Sequence, residues 1–331
     1  MSFVAESAAW YLQPGRQLAE IDRLLARPDA PPLQAARLIE RGRCLEALWQ
    51  PQSALNAYTE ADGLLGTSDT ALRCRTRLGA AAIHYAHADY AAALQAWQQA
   101  LPLAADDALA KSEALLGLGR ICQALGGAEP ALHYKAAALR AAGAAGAAGD
   151  SRVQAMIALN VVASLNALGR YDEMAVTLAE AAPQIAATPG RPFEAEWQVY
   201  ASIVAQANNR LRDAGRCLDI ALALADGANN HWVRAFALLQ QGQLRTRLHD
   251  GRGALDALHA AREIGEPMGI AHTLMDIHGQ LAKVNEAQGN LGDALEHCKL
   301  HHQYYRWTHD GLNRDALALL TATPAGERLA H

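Results

Sequence analysis

The sequence is poor in aromatic residues and lacks any long apolar run. Only 5% of its 331 residues are aromatic and only three are Phe, whereas 51% are hydrophobic, chiefly Ala and Leu. Sheets favour β-branched and aromatic residues, so this composition predicts closely packed helices. No window approaches the roughly eighteen apolar residues of a membrane helix, and no basic, apolar leader begins the chain. We therefore expect an all-α, cytoplasmic protein without a membrane partner.

Neither the cysteines nor the charge indicates a specific chemistry. The five cysteines are scattered and form no C-x-x-C pair, so a disulfide framework or a cysteine-rich zinc module is not expected. The net charge of −5 and the pI near 6.2 provide no general attraction to nucleic acid. The motifs G-x-x-x-x-G-K-[ST], G-x-S-x-G and H-E-x-x-H are absent. We therefore expect no enzyme activity and no cofactor.

One pattern recurs seven times at intervals close to forty residues. It is seen in "ALGGAEPALHYKAAAL" at 124–139 and "ALGRYDEMAVTLAEA" at 167–181. Each copy has a turn, a small residue five positions later, a larger apolar residue four further on and another small residue three beyond. The first small position is Ala54, Ala93, Ala131, Met174, Ala214, Ala254 and Ala294. Spacings of three, four and seven are helical, so each copy is predicted to be a helical hairpin.

Two further positions define the predicted hairpin. The turn is expected to need a positive φ, and its residues are Gly126, Gly169, Asn209, His249 and Gly289. Twelve residues before each small position, the first helix is expected to approach the second closely. The residues there are Gly42, Ala81, Gly119, Ser202, Gly242 and Ala282, with Val162 as the exception.

This pattern resembles the tetratricopeptide repeat, with L-G in the first helix, G-x-Y at the turn and A, an aromatic residue and A in the second helix. "LGRICQALGGAEPALHYKAAAL" at 118–139 is the best match. The resemblance implies a right-handed α-solenoid of about seven hairpins over 33–305. Residues 1–32 would form an N-terminal capping half repeat, and 306–331 a C-terminal capping helix and tail.

The repeat length is similar to that of two bacterial groups: peptide-pheromone receptors and the sensor regions of GGDEF diguanylate cyclases. The segment 289–320, "GNLGDALEHCKLHHQYYRWTHDGLNRDALALL", resembles the last repeat and exit helix of those sensor regions, but the sequence has no GGDEF motif. Two irregular segments interrupt the repeat. We expect "AAGAAGAAGD" at 141–150 to be a flexible connector and "APQIAATPGRP" at 182–192 a rigid exposed loop.

In tetratricopeptide repeats the first helices line a concave groove. Fourteen residues before the small position, the last four repeats carry polar residues, which we term the polar ladder: Asn160, Tyr200, Gln240 and Gln280. Neighbouring groove positions carry Arg43, Arg120, Gln243 and Lys283. Amide side chains both donate to and accept from a main chain, which suits an extended peptide. The leading hypothesis is a non-enzymatic adaptor, sensor or regulator that binds a protein or peptide; the alternative is a merely solvated groove wall.

The stretch "ALEHCKLHH" at 294–302 suggests a second hypothesis, a metal-binding protein. His297, His301 and His302 could present imidazoles on one helix face, although no acidic residue lies between the paired histidines. Cys298 is expected in the core, because equivalent positions hold Tyr58, Trp97 and leucines. A third hypothesis is a self-assembling component that pairs through terminal repeats or through exposed aromatic residues, which are Tyr304, Tyr305 and Trp307.

Overall fold

The computed structural model describes residues 13–48, 50–87, 89–104, 106–144, 151–228, 230–268 and 271–309. These residues form fifteen α-helices and contain no β-strand, which confirms the predicted all-α class. The helices are α1 (Pro14–Leu25), α2 (Pro31–Ala47), α3 (Pro51–Leu64), α4 (Thr70–Ala86), α5 (Tyr90–Leu103), α6 (Ala108–Ala124), α7 (Ala128–Ala144), α8 (Ser151–Ala167), α9 (Tyr171–Ala187), α10 (Glu194–Ala207), α11 (Leu211–Gly227), α12 (His231–Arg247), α13 (Gly251–Met268), α14 (Ala271–Ala287) and α15 (Leu291–His309). No helix in these ranges is long and apolar enough to cross a membrane.

Local sequence signals explain where several helices begin. Pro14, Pro31 and Pro51 each lie in the first turn of a helix, where the backbone N–H that proline lacks would have no intrahelical partner. The Asp89 side chain accepts a hydrogen bond from the backbone N–H of Ala92 at the start of α5. Asn230 caps α12 in the same way.

The turn residues have the backbone conformation that the sequence predicts. Gly126, Gly169 and Gly289 have φ values of 79°, 69° and 81°. The two substitutes, Asn209 and His249, have φ values of 57° and 60°. All five predictions of a positive φ are therefore confirmed.

Each first helix lies close to its second helix at the predicted small residues. The residues at the seven small positions of the second helices, including Met174, are buried, as are the six small residues of the first helices. A Cβ added to Gly42 would lie 2.7 Å from the Tyr58 ring, and one added to Gly242 would lie 2.6 Å from Leu258 Cγ. Such separations are shorter than van der Waals contact, so only glycine fits at these two positions.

The chain divides into two compact units, each with its own packing. Among the described residues, the first unit extends to 160 without 124–126, and the second contains 124–126 and everything from 161. In the first unit, α2 packs against α3 and α4. In the second, α12 packs against its partner α13 and also against the first helices on either side, α10 and α14. In these parts of the two units, successive first helices are therefore direct neighbours.

The expected loop at 182–192 is wrong in its first half, because α9 continues to Ala187 with Pro183 inside it. Proline removes one backbone donor, but Met174, Leu178 and Ile185 are buried along the apolar face and keep the helix packed. The expected connector at 141–150 is helical to residue 144, and 145–150 lie outside the described residues, as do 1–12 and 310–331. Helix α15 is continuous across residue 306, where the sequence predicts the capping segment to begin.

Candidate functional site

All eight predicted groove residues lie on first helices. Arg43 is on α2, Arg120 on α6, Asn160 on α8, Tyr200 on α10, Gln240 and Gln243 on α12, and Gln280 and Lys283 on α14. The first two and Asn160 belong to the first unit, and the other five to the second.

In the second unit, the polar ladder crosses three adjoining helices, α10, α12 and α14. Tyr200 is 5% exposed and Gln240 is 6% exposed, while Gln280 is half-buried. Tyr200 and Gln240 are therefore not solvated, as they would be if the polar ladder were only a solvent-exposed groove wall. Of the neighbouring positions, Gln243 is half-buried and Lys283 is exposed.

The polar atoms of Tyr200 and Gln240 have no hydrogen-bond partner within the described part of the chain. Neither is sealed from the surface, because the only fully buried unpaired side-chain atoms among the described residues are His259 Nδ1 and Arg262 Nε. An unpaired group that is largely desolvated gains free energy when a ligand supplies the missing hydrogen bond. The hydroxyl of Tyr200 and the amide of Gln240 are such groups.

An aromatic cluster surrounds Tyr200. Its ring meets Phe236 edge-on with 5.5 Å between ring centroids, and Phe236 stacks on Trp232 at 5.8 Å. One helical turn before Tyr200, burial raises the pKa of Glu196 to about 7. Burial and the nearby Glu196 also raise the pKa of Tyr200 well above its usual value. Apart from Tyr200, this cluster is not among the predicted groove residues. Its signal in the sequence is that Glu196 and Phe236 occupy the same repeat position, eighteen residues before the small one.

Asn160 differs from the other ladder residues because one of its two amide hydrogens is already used. Its Nδ2 donates to the carbonyl oxygen of Met156, one turn earlier on α8, at 3.0 Å. The side-chain oxygen and the second amide hydrogen are left to contact a ligand.

The ladder positions of the second and third repeats are Gly79 and Gly117, and here the first unit has a pocket of about 200 Å³. Its floor is formed by Tyr58 and Trp97, which reach between the first helices from α3 and α5. A Cβ on Gly79 would overlap the Tyr58 ring, and one on Gly117 would overlap Trp97. The two glycines therefore provide the space that these rings occupy.

Four arginines line this pocket, one from each of α2, α4, α6 and α8: Arg43, Arg75, Arg120 and Arg152. We call the site, with Tyr58 and Trp97, the arginine pocket. Two carboxyl groups, those of Glu46 and Glu113, lie in the same wall. The lining therefore holds more guanidinium than carboxyl groups, and outside it the Glu40 carboxylate pairs with Arg43.

The groups that contact the charged residues of the arginine pocket differ from one residue to the next. Arg43 is 3.3 Å from a Glu40 carboxylate oxygen, and the Arg120 guanidinium lies 4.3 Å above the centre of the Tyr85 ring. Neither Arg75 nor Arg120 has an ion-pair partner within 4.0 Å among the described residues. Burial raises the pKa of Glu46 to about 7, although a hydrogen bond from Tyr58 and the nearby Arg43 oppose that shift.

The histidines of "ALEHCKLHH" do not come together as the metal hypothesis requires. His297 Nδ1 lies 3.1 Å from His278 Nδ1, whereas His301 Nδ1 lies 2.9 Å from the carbonyl oxygen of Met275 and His302 is exposed. Within the described residues, no three His, Cys, Asp or Glu side chains are arranged to hold a metal ion. Burial lowers the pKa of His278 to about 4 and also lowers that of His297.

Two expectations about the last repeat are wrong. Cys298 is exposed, not in the core, because its counterparts Tyr58 and Trp97 pack against the first helix of a following repeat and the described residues contain none after α15. Tyr304 is not freely exposed, since its ring stacks on His278 at 5.6 Å. Tyr305 is exposed, and the side chain of Trp307 lies outside the described residues.

No protein-family model and no curated protein matches the sequence. The structure is similar to that of a tetratricopeptide repeat protein from Parabacteroides merdae, with 14% identity, coverage of 83% of this chain and 97% of that one, and a TM-score of 0.50. The chain therefore has the helical-repeat fold of tetratricopeptide repeat proteins, as the sequence predicts.

Two Rap proteins share this fold more fully. Apo RapI is 14% identical over 82% of this chain and 98% of its own, with a TM-score of 0.66. A Rap protein complexed with competence and sporulation factor is 13% identical over 89% of this chain and 80% of its own, with a TM-score of 0.61. At these identities the similarity describes the fold.

Proposed function

We propose that this chain is a non-enzymatic binding protein that holds an extended segment of a peptide or protein along the first helices of its hairpins. One observation carries the proposal: Tyr200 and Gln240 lie on adjoining helices, are almost fully buried and keep unpaired polar atoms that reach the surface. A main chain offers both donors and acceptors in a regular series, so it is the ligand that suits such groups.

The fold supports the same proposal. One of the similar structures is a Rap protein in complex with competence and sporulation factor, so a chain with this helical arrangement can act by binding a partner. By extension we propose a regulatory or adaptor role in the cytoplasm. Helical repeats respond to a ligand through small rotations between neighbours, which gives such a protein a way to transmit binding.

The test begins with peptides selected from a displayed random library on the full-length chain. Their affinities are then measured for Gln240→Ala, Tyr200→Phe and the double variant Asn160→Ala/Gln240→Ala. We expect Gln240→Ala and the double variant to weaken binding at least about tenfold, because each removes hydrogen bonds between the ligand and the largely buried Gln240 amide. Helicity and unfolding midpoint should stay unchanged.

The matched control is Gln52→Ala, which removes an exposed amide from the second helix α3. It should bind every selected peptide as the native chain does. If the selected peptides bind Gln240→Ala, Tyr200→Phe and the native chain equally well, the polar ladder is not the binding surface.

A further inference from the structure

We infer that the arginine pocket of the first unit binds a carboxylate of a peptide or protein, carried on an apolar or aromatic stem. The inference rests on the proposed function for its ligand and adds a charge requirement to it. It names the chemical class of ligand for a surface where the polar ladder is missing. The ladder positions here are Gly79 and Gly117, which carry no side chain.

The charge of the pocket calls for an anion. Its four guanidinium groups come from four different first helices, so no single helix could supply the arrangement. Arg75 and Arg120 make no ion pair within the described residues, and a planar guanidinium matches a carboxylate with two parallel hydrogen bonds. The Glu46 carboxyl is already bonded to the Tyr58 hydroxyl, which reduces its competition for the arginines.

The floor of the pocket calls for an apolar stem beside that anion. Tyr58 and Trp97 present ring atoms, and Leu78, Leu116 and Met156 add apolar surface to the same wall. The volume of about 200 Å³ is below the roughly 300–1,000 Å³ of a site for a complete small molecule. It therefore suits one side chain or one chain terminus.

The pocket is specific to the first unit. Eighteen residues before the small position, the first unit has Arg75 and Glu113, whereas the second has Glu196, Phe236 and Asp276. No arginine lies at the corresponding positions of the second unit, so a carboxylate is not expected to bind there.

A carboxylate fits better than a phosphate. Glu113 and Glu46 lie in the wall with the arginines, and they repel a dianion more strongly than a monoanion. A phosphate group shares the oxoanion chemistry that a guanidinium recognises, so inorganic phosphate forms the second arm of the test.

The experiment uses the full-length chain and three probes: N-acetyl-L-phenylalanine, its neutral primary amide and inorganic phosphate. Binding is followed by NMR titration up to about 10 mM, where millimolar affinity is measurable. We expect the acid to bind saturably and the amide to bind at least about tenfold more weakly. Arg75→Gln and Arg120→Gln should each weaken binding of the acid about tenfold, and Arg75→Lys should weaken it less.

The control is Arg212→Gln, which removes an exposed arginine from the second helix α11 outside the pocket. It should leave binding of the acid unchanged, and circular dichroism should show native helicity for every variant. Equal binding of acid and amide, no saturable binding of the acid, or binding of the acid that Arg75→Gln and Arg120→Gln leave intact would each overturn the inference. Arginine-dependent binding of phosphate without binding of the acid would overturn its assignment to a carboxylate.

The result separates this inference from the proposed function. If Gln240→Ala abolishes peptide binding while the acid probe never binds, the pocket assignment fails alone. If the acid probe binds as expected while the selected peptides bind Gln240→Ala and Tyr200→Phe with native affinity, the ladder proposal fails alone.

Discussion

The two units use the same pair of repeat positions in opposite ways. In the first unit, a large ring on the second helix faces a glycine on the next first helix, as Tyr58 does at Gly79 and Trp97 at Gly117. In the second unit, the equivalent residue of the second helix is a leucine, and the ladder position holds a large polar side chain. These pairs are Leu178 with Tyr200, Leu218 with Gln240 and Leu258 with Gln280.

We infer from this exchange that the two positions share one space in these repeats. Where a ring on the second helix fills it, the ladder position is glycine, and the first helices leave a pocket with an aromatic floor. Where the second helix carries leucine, a large polar side chain occupies the ladder position instead. The pair Lys135 and Asn160 departs from this exchange, because Lys135 is buried against Gly119 of its own hairpin.

In the first unit, the large side chains at this position of the second helix also contact the first helix of their own hairpin. Tyr58 donates to Glu46, the Trp97 ring lies 5.8 Å from that of Tyr85, and the buried Lys135 bonds to Gln123. In each case the two residues are twelve apart and occupy the same two repeat positions. The floor of the pocket is therefore held by its own hairpin.

The largest expected change in the free energy of unfolding comes from a variant that tests whether the two positions share one space. Gly117→Gln should destabilise the chain by about 3 kcal/mol, because its side chain would overlap Trp97. Combining it with Trp97→Leu recreates the pair found at Leu218 and Gln240, so the double variant should recover a large part of that loss. Stability is measured by urea unfolding of the native chain, both single variants and the double variant.

A coupling free energy near zero would break the comparison, because the two positions would then act independently. A useful control is Trp97→Leu with Gly143→Gln, in which the second residue has open space beside it. That pair should show additive effects, since no shared contact links the two positions.

The hairpins were predictable from the sequence because their signals are local. A positive φ at Asn209 and His249 follows from position within a repeat, and buried small residues follow from helical spacing. The arginine pocket was not predictable in this way, because its residues come from four helices and its walls depend on the packing of successive hairpins. Arg43 and Arg120 were predicted as groove residues but Arg75 was not, because it lies four residues before the ladder position, outside the two repeat positions on which that prediction was based.

The errors have the same origin. His297 was grouped with His301 because they are four residues apart on one helix, yet its nearest imidazole is that of His278 on the helix before. Cys298 was assigned to the core from repeat position alone, although burial there requires a following first helix. Spacing along one helix gives the face of a side chain but not what covers that face.

A buried base in the second unit should make stability depend on pH. The folded pKa of His278 is about 4, and that of an unfolded histidine is near 6.5, so the unfolded chain binds more protons between these values. The contribution of neutral His278 is complete above pH 6.5 and is lost as the pH falls toward 4. His297, His301 and Arg262 face it and add to the penalty for its protonation.

We expect this loss to amount to about 2 kcal/mol, measured by urea unfolding between pH 7 and pH 4. His278→Gln should flatten the decline, whereas the exposed His302→Gln should retain the native profile. A decline of the same size in His278→Gln would show that other groups cause it.

A buried acid in the first unit should produce the smallest effect, with the opposite slope. The folded pKa of Glu46 is about 7 against about 4.5 when unfolded, so the folded chain binds more protons between these values and stability falls as the pH rises through that range.

Glu46→Gln removes the ionised group and should stabilise the chain at pH 8 by about 1 kcal/mol, with little change at pH 4.5. Glu286→Gln, at the same repeat position but exposed, should change neither value. Equal stabilisation at both pH values would mean that Glu46 acts through packing and not through its charge.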